Sequence, residues 1–359
     1  PTVAMVLSAI LILTVRKLLG VTKWSGPADS IYALHQQKVG VDVRVGIGST
    51  LAAFISASGG ASVGQYGPLV HFGATLATVL SRIRGLQISK DVLLACGVAA
   101  AISAGFNAPI AGIIFAHEAL LRRFSIGAVA PISVASIVAS ASNHYFGFAN
   151  LAFEVPLSNL ELIEVVPFLI VFAPICSAVA IIYMLALRQG TQFAASGRYS
   201  FTTLIFSTAL VVGIIGAFLP DVLGLGSTQI NQMVNGQYAL TFLILLLVAK
   251  ILVTAACIAF GFFGGVFGPA LFVGAALGGI LSGLLIQVGL PSDYGSIITV
   301  ATLAAVGSSV IGAPLSVVLI VVELTGSYDY GLMALLSVTL CSTLTYRFFG
   351  VSYFDRQLL

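Results

Sequence analysis

The chain has 359 residues, 59% hydrophobic and 8% charged, with a mean hydropathy of +1.11. A soluble domain carries about a quarter charged residues, so this composition excludes an ordinary soluble fold and predicts a polytopic membrane protein. The net charge of +3 is scattered along the sequence, which excludes a nucleic-acid binder with its clustered basic face.

The first predicted element is the apolar run Val3 to Leu13, closed by Arg16-Lys17, which reads as an interfacial anchor. No small-residue cleavage pattern follows it, which argues against a removed signal peptide. Gly64-Gln65-Tyr66-Gly67-Pro68 then precedes the apolar segment Leu69 to Ala74. The same arrangement recurs as Gly265-Val266-Phe267-Gly268-Pro269 ahead of Ala270 to Ala275. Proline suits a first helical turn, and glycine leaves backbone N–H groups uncovered just ahead of it. An uncovered helix start offers an anion both N–H groups and the positive end of a dipole. The two turns therefore predict an anion site within a membrane.

A second repeated segment runs Asn107-Ala108-Pro109 to Phe115 and closes on Glu118; its counterpart runs Gly312-Ala313-Pro314 to Ile320 and closes on Glu323. Pro68 and Pro269 are 201 residues apart, while Pro109 and Pro314, like Glu118 and Glu323, are 205 apart. This near-constant offset predicts duplicated halves, residues 1–190 and 191–359, dividing in the polar stretch Gln189 to Ser200. Duplicated halves in membrane proteins are often inverted, with a ligand site where broken helices meet near the midplane. The fold class expected is all-α and polytopic: an inverted repeat of about ten to eighteen short, tilted, broken helices.

Between and beyond these motifs, single residues carry weaker signals. Glu118 and Glu323 end apolar runs symmetrically and read as acceptors at helix ends. Lys250 is a lone cation in Phe242 to Phe263. A lysine at the centre of a span costs ~2.5–3.5 kcal/mol, so Lys250 is expected nearer an interface, either in a salt bridge or as an anion-attracting charge. Arg122-Arg123 read as interfacial anchors, His71 and His117 as core or wall residues, and Cys96, Cys176, Cys257 and Cys341 as small buried hydrophobes. The spacings Gly60/Gly64, Gly274/Gly278 and Gly279/Gly283 suit close helix contacts. No Gly-x-Ser-x-Gly, His-Glu-x-x-His or Gly-x-Gly-Asp motif of an intramembrane enzyme occurs, so an enzyme is not expected.

Taken together, these residues resemble the CLC family of chloride channels and chloride/proton exchangers, from Ser25 to Tyr353. Lys23-Trp24-Ser25-Gly26-Pro27 is similar to the family's Gly-Ser-Gly-Ile-Pro, with Trp24 for the first glycine and Pro27-Ala28 for Ile-Pro. Gly64 to Pro68 stands where the family has Gly-Arg-Glu-Gly-Pro, Gly265 to Pro269 fits Gly-x-Phe-x-Pro, and Tyr353 stands at the family's anion-coordinating tyrosine. The resemblance implies that the Ser25 and Tyr353 hydroxyls and the Val266 and Phe267 N–H groups, on the Gly265 turn, hold a central anion. It implies an outer anion on the Gly64, Gln65, Tyr66 and Gly67 backbone.

Three departures from the family matter. The gating glutamate is Tyr66, its neighbouring arginine is Gln65, and the inner proton-handling glutamate is Ala119. A free tyrosine ionises near pH ~10 and a free glutamate near ~4.3, so Tyr66 is a neutral gate. The expected function is chloride-selective permeation by a proton-uncoupled channel. The alternative is a chloride/proton antiporter that moves protons through Glu118, His117 or water. Ser25 and Pro68 match the chloride pattern rather than the nitrate- or fluoride-selective one, and bromide or nitrate are further permeants to consider. No cofactor, metal or cytosolic regulatory domain is expected. Family likeness further implies a homodimer, with Ile132 to Ala141 and Leu315 to Val322 as candidate interface, in the inner membrane of a prokaryote.

Overall fold

A computed structural model of the chain describes residues 1–30, 41–83, 85, 88–147, 153, 155, 162–289 and 291–358. Among them are fifteen α-helices and no strand. A first series comprises α1 (Thr2–Leu19), α2 (Val43–Ser58), α3 (Tyr66–Leu80), α4 (Lys90–Phe106), α5 (Pro109–Phe115) and α6 (Ile126–Tyr145). A π-helical turn, Ala116–Leu121, continues α5. Then comes the long α7 (Leu162–Ala195), followed by α8 (Phe201–Phe218), α9 (Ser227–Val234), α10 (Leu240–Ala259), α11 (Phe267–Gln287), α12 (Tyr294–Ile311), α13 (Pro314–Thr325), α14 (Tyr328–Phe349) and α15 (Tyr353–Leu358).

Each helix from α1 to α6 has a counterpart roughly 200 residues later: α8, α10, α11, α12, α13 and α14 in turn. The counterparts end alike. Asn107 closes α4 with φ 52 and Gly312 closes α12 with φ 75, both left-handed and each just ahead of the Ala-Pro that opens the next helix. A left-handed residue ends a helix by turning its last carbonyls to new partners, and the proline behind it cannot continue the ladder. The expected division at residues 190/191 falls inside α7, which runs unbroken to Ala195 and packs against α10, α12 and α14 of the second series.

Eight of the helices are long and apolar enough to cross a membrane. They differ in what surrounds them. Most of α1 and α6 faces outward, whereas α12 is almost wholly enclosed by protein. Helices without a polar face suit both settings, because lipid and protein interior are equally apolar.

The enclosed helices approach closely where side chains vanish. A Cβ on Gly73 of α3 would stand 2.2 Å from the Gly97 carbonyl of α4, and one on Gly97 would stand 2.2 Å from the Gly73 carbonyl. In the second series, Gly274 and Gly278 bring α11 equally close to Leu303 and Thr299 of α12. Gly279 and Gly283 face Leu243 and Leu240 of α10, so these two Gly-x-x-x-Gly pairs are helix contacts as expected. Gly60/Gly64 is not one. Gly60 is a turn residue with φ 91, and Gly64 pairs with another loop. The four cysteines are all free and buried.

Candidate functional site

The two Gly-x-aromatic-Gly-Pro turns lie against each other at the centre of the fold. Gly64 and Gly265 form an antiparallel bridge: the Gly64 N–H donates to the Gly265 carbonyl at 2.7 Å, and the Gly265 N–H returns a bond at 2.6 Å. Only glycine allows this approach. A Cβ on Gly64 would meet the Gly265 oxygen at 2.9 Å, and one on Gly265 would meet the Gly67 nitrogen at 2.8 Å.

Helices α3 and α11 start from this bridge in the same manner. Their N-cap residues, Gln65 (φ −88, ψ −26) and Val266 (φ −88, ψ −16), are already helical, and neither start is capped by a side-chain hydrogen bond. The first N–H groups of a helix have no partner within it. Two positive helix ends therefore converge at the bridge without a carboxylate to satisfy them.

A cavity lies on either side. One, of about 200 Å³, is lined by Trp24, Gly26, Gly67, Gly265, Val266 and Tyr353, with Lys23 and Asp29 among its other walls. The other, of about 40 Å³, is lined by Gly64, Gln65, Tyr66, Phe106, Ser227 and Gly268, and its described walls hold no carboxylate and no histidine. A cluster of three rings stands at the smaller cavity, two of them in its wall. Tyr66 stacks on Phe106 at 3.6 Å between centroids and 13° between planes, and Phe267 presents an edge to both, at 6.0 and 5.6 Å. Gly105 makes room for the stack, since a Cβ there would press on the Tyr66 ring at 3.1 Å.

The structure thus brings Gly64, Gln65, Tyr66, Gly67, Gly265, Val266 and Phe267 together and sets Tyr353, buried at the start of α15, on the larger cavity. Ser25 sits between two residues lining that cavity and is half-buried, its N–H donating to Ser49 Oγ at 2.9 Å. The next N–H, that of Gly26, donates to the Asp29 carboxylate at 2.7 Å, and the chain enters a helix at Pro27. Asp29 is a polar neighbour the sequence reading passed over.

The other titratable residues near the centre are tied to structure. Glu118, on the π-helical turn after α5, accepts from the Leu315 and Ser316 N–H groups at 2.9 and 2.8 Å and from the Ser316 hydroxyl. Glu323, at the end of α13, accepts from the Ile110 and Ala111 N–H groups at 2.9 and 2.8 Å. Each half's acid caps the other half's proline-led helix. This matches the expected helix-end role and satisfies donors that lipid could not.

His71 and His117 are both fully enclosed, as expected of core or wall residues. The His71 Nδ1 meets Ser30 Oγ at 2.8 Å. The His117 Nδ1 donates to the Arg123 carbonyl at 3.2 Å, and its ring stacks on Phe124. Arg122 and Arg123 are ion-paired, with Asp355 and Asp91 respectively.

Lys250 is completely buried in α10, and its ammonium donates to the Val222 and Gly224 carbonyls, both at 3.0 Å, with the Phe272 ring at 4.6 Å. No described carboxylate pairs with it. The loop that it holds leads directly into Leu225 and Ser227, walls of the smaller cavity.

Phe106 was visible in sequence only as part of the Phe-Asn-Ala-Pro segment, with nothing to indicate that its ring would meet Tyr66. Tyr183 gave no signal at all. It lies in the long apolar run of α7, fully buried, and its hydroxyl donates to the Val266 carbonyl at 3.0 Å.

The sequence profile of the family described as voltage gated chloride channel matches residues 6–346. A ClcB-like protein of Ralstonia nicotianae is 28% identical over 326 residues, 88% of this chain and 76% of its own length. The H(+)/Cl(-) exchange transporter ClcA of Vibrio vulnificus is 24% identical over 311 residues, 84% of this chain and 66% of its own length. Among solved structures, that of a slow cyanobacterial Cl-/H+ antiporter superimposes with a TM-score of 0.85 at 18% identity, covering 99% of this chain and 86% of that one.

Proposed function

Because this chain belongs to the voltage-gated chloride channel (CLC) family, whose members carry chloride across membranes, we propose that it is a proton-uncoupled chloride channel. The observation that supports this most is the wall of the smaller cavity. A proton carried there on a side chain would need a titrating group, and the described lining offers Tyr66 but no carboxylate and no imidazole. Ala119 has no proton to give, and Glu118 beside it is held by three donors as a helix cap.

In this reading chloride passes from the larger cavity to the smaller one past the Gly64–Gly265 bridge. Ser25 and Tyr353 offer hydroxyls, the Val266 and Phe267 N–H groups complete the central position, and the Gly64 to Gly67 backbone forms the outer one. Each helix start contributes up to ~2 kcal/mol toward a partly buried anion. Together with the two hydroxyls such ends offset part of the dehydration, by many weak contacts that hold the ion without trapping it. Lys250, with no described carboxylate beside it, holds the Val222–Gly224 loop that leads into the smaller cavity. Tyr66 is the gate: its ring blocks the gap between the cavities while it lies on Phe106. The protein acts as a homodimer in a prokaryotic inner membrane, by analogy with its family.

A second reading is favoured by the names of relatives: ClcA and the cyanobacterial protein are chloride/proton exchangers. Liposomes given a chloride gradient, with chloride and proton movement recorded together, separate the two. A channel moves chloride with no uphill proton flux, and Tyr66→Ala raises the rate several-fold. Stoichiometric uphill proton movement sinks the channel reading and leaves transport by exchange.

A further inference from the structure

We infer that Tyr183 is a positioning residue of the central anion site, acting through the Val266–Phe267 peptide; the inference rests on the chloride reading above. The Val266 carbonyl accepts two hydrogen bonds, from the Ala270 N–H at 3.0 Å, which is the first bond of α11, and from the Tyr183 hydroxyl at 3.0 Å. A trans peptide is planar, so its N–H points opposite its carbonyl. Fixing the Val266 oxygen toward Tyr183 turns the Phe267 N–H the opposite way, and Val266 itself lines the larger cavity.

The α11 bond alone sets this direction. The second bond adds two effects. It braces the first helical turn against α7, an element that otherwise makes no direct bond to the motif among the described residues. It also draws electron density toward the carbonyl, which makes the N–H of the same peptide a stronger donor, since bonds in series polarise one another in a low-dielectric interior. Tyr183 is fully buried. A buried tyrosine hydroxyl needs some acceptor. This one takes a carbonyl of the very peptide whose N–H faces the ion.

The test is chloride binding to purified protein by titration calorimetry, together with relative chloride, bromide and nitrate permeability in bilayers. Tyr183→Phe keeps the ring and removes only the hydroxyl. It is expected to weaken chloride binding about threefold to tenfold, the usual worth of one buried hydrogen bond, and to shift permeability toward the less strongly hydrated anions. Replacing Tyr183 by 3-fluorotyrosine, a stronger donor of nearly the same shape, is expected to tighten binding, and it keeps the question answerable if the phenylalanine variant does not fold. Unchanged affinity and permeability ratios in the variants, with only the melting temperature altered, would overturn the inference and leave Tyr183 a packing residue. A wild-type protein that binds and conducts no anion overturns the inference together with its premise. Normal wild-type binding with indifferent variants removes the inference alone.

Discussion

Tyr66, in the wall of the smaller cavity, is held by ring contact rather than by charge. Its ring lies flat on Phe106 with Phe267 at its edge, and such pairs contribute ~0.5–1.5 kcal/mol each beyond burial. Under the proposed function the Tyr66 gate is set by a balance that solution pH does not touch in the neutral range. Tyr66→Glu replaces it with a titrating one. A free glutamate has a pKa near ~4.3, and its carboxylate competes with chloride for the same N–H groups. Above that pKa the ionised side chain occupies the site, and below it the neutral acid lets go. Chloride flux through the variant is therefore expected to rise as pH falls through roughly 5 to 4, while the wild-type rate stays flat. A flux assay across that range checks it, and a variant as flat as the wild type would remove Tyr66 from the anion path.

The helices are held to one another at their ends. Glu118 and Glu323 each leave their own half to bind two N–H groups of the other half's Ala-Pro-led helix, α13 and α5 respectively. Hydrogen bonds to a charged group contribute ~1.5–3 kcal/mol, more than any neutral cap supplies. Glu118→Gln keeps the shape but removes the charge, and its amide nitrogen cannot accept from the Ser316 N–H and hydroxyl. The expected result is a lower melting temperature in detergent, from a loss of ~1–3 kcal/mol, with chloride transport still uncoupled from protons. If instead the variant melts like the wild type and loses proton movement, Glu118 is a carrier rather than a cap.

At the scale of the whole molecule, two surfaces stand out. Lipid covers much of α1 and α8, whose outward residues are mostly apolar, with Thr14, Lys17, Thr202, Thr203 and Ser207 as exceptions. The outward faces of α6 and α13 carry Val134, Ile137, Val138 and Leu315, within the two segments expected from sequence to form a dimer interface. A charge in such a face costs several kcal/mol whether the partner is lipid or protein, but only a dimer changes mass. Ile137→Arg is therefore expected to convert a species of twice 37.1 kDa into a monomer by light scattering in detergent. Wild-type protein that runs as a monomer would refute the dimer outright.

The sequence by itself determined the fold class, the repeat and the location of the central motifs, and the reason is local. Apolar runs too long for a soluble core must lie in lipid, and glycine and proline dictate where a helix can start. For the same reason the paired acids were legible as helix-end acceptors before any partner was known. Tertiary structure alone decided which groups meet. Nothing in the spacing of Gly64 and Gly265 required their backbones to pair directly, and nothing in α7 distinguished Tyr183 from its apolar neighbours. Lys250 was legible as a lone cation, but only the fold supplies its partners, two backbone carbonyls and a ring. The division of the halves also depends on packing, since the polar stretch from Gln189 continues α7 to Ala195. Composition and local chemistry decide where each helix can lie, whereas contacts made across some two hundred residues decide what faces the ion.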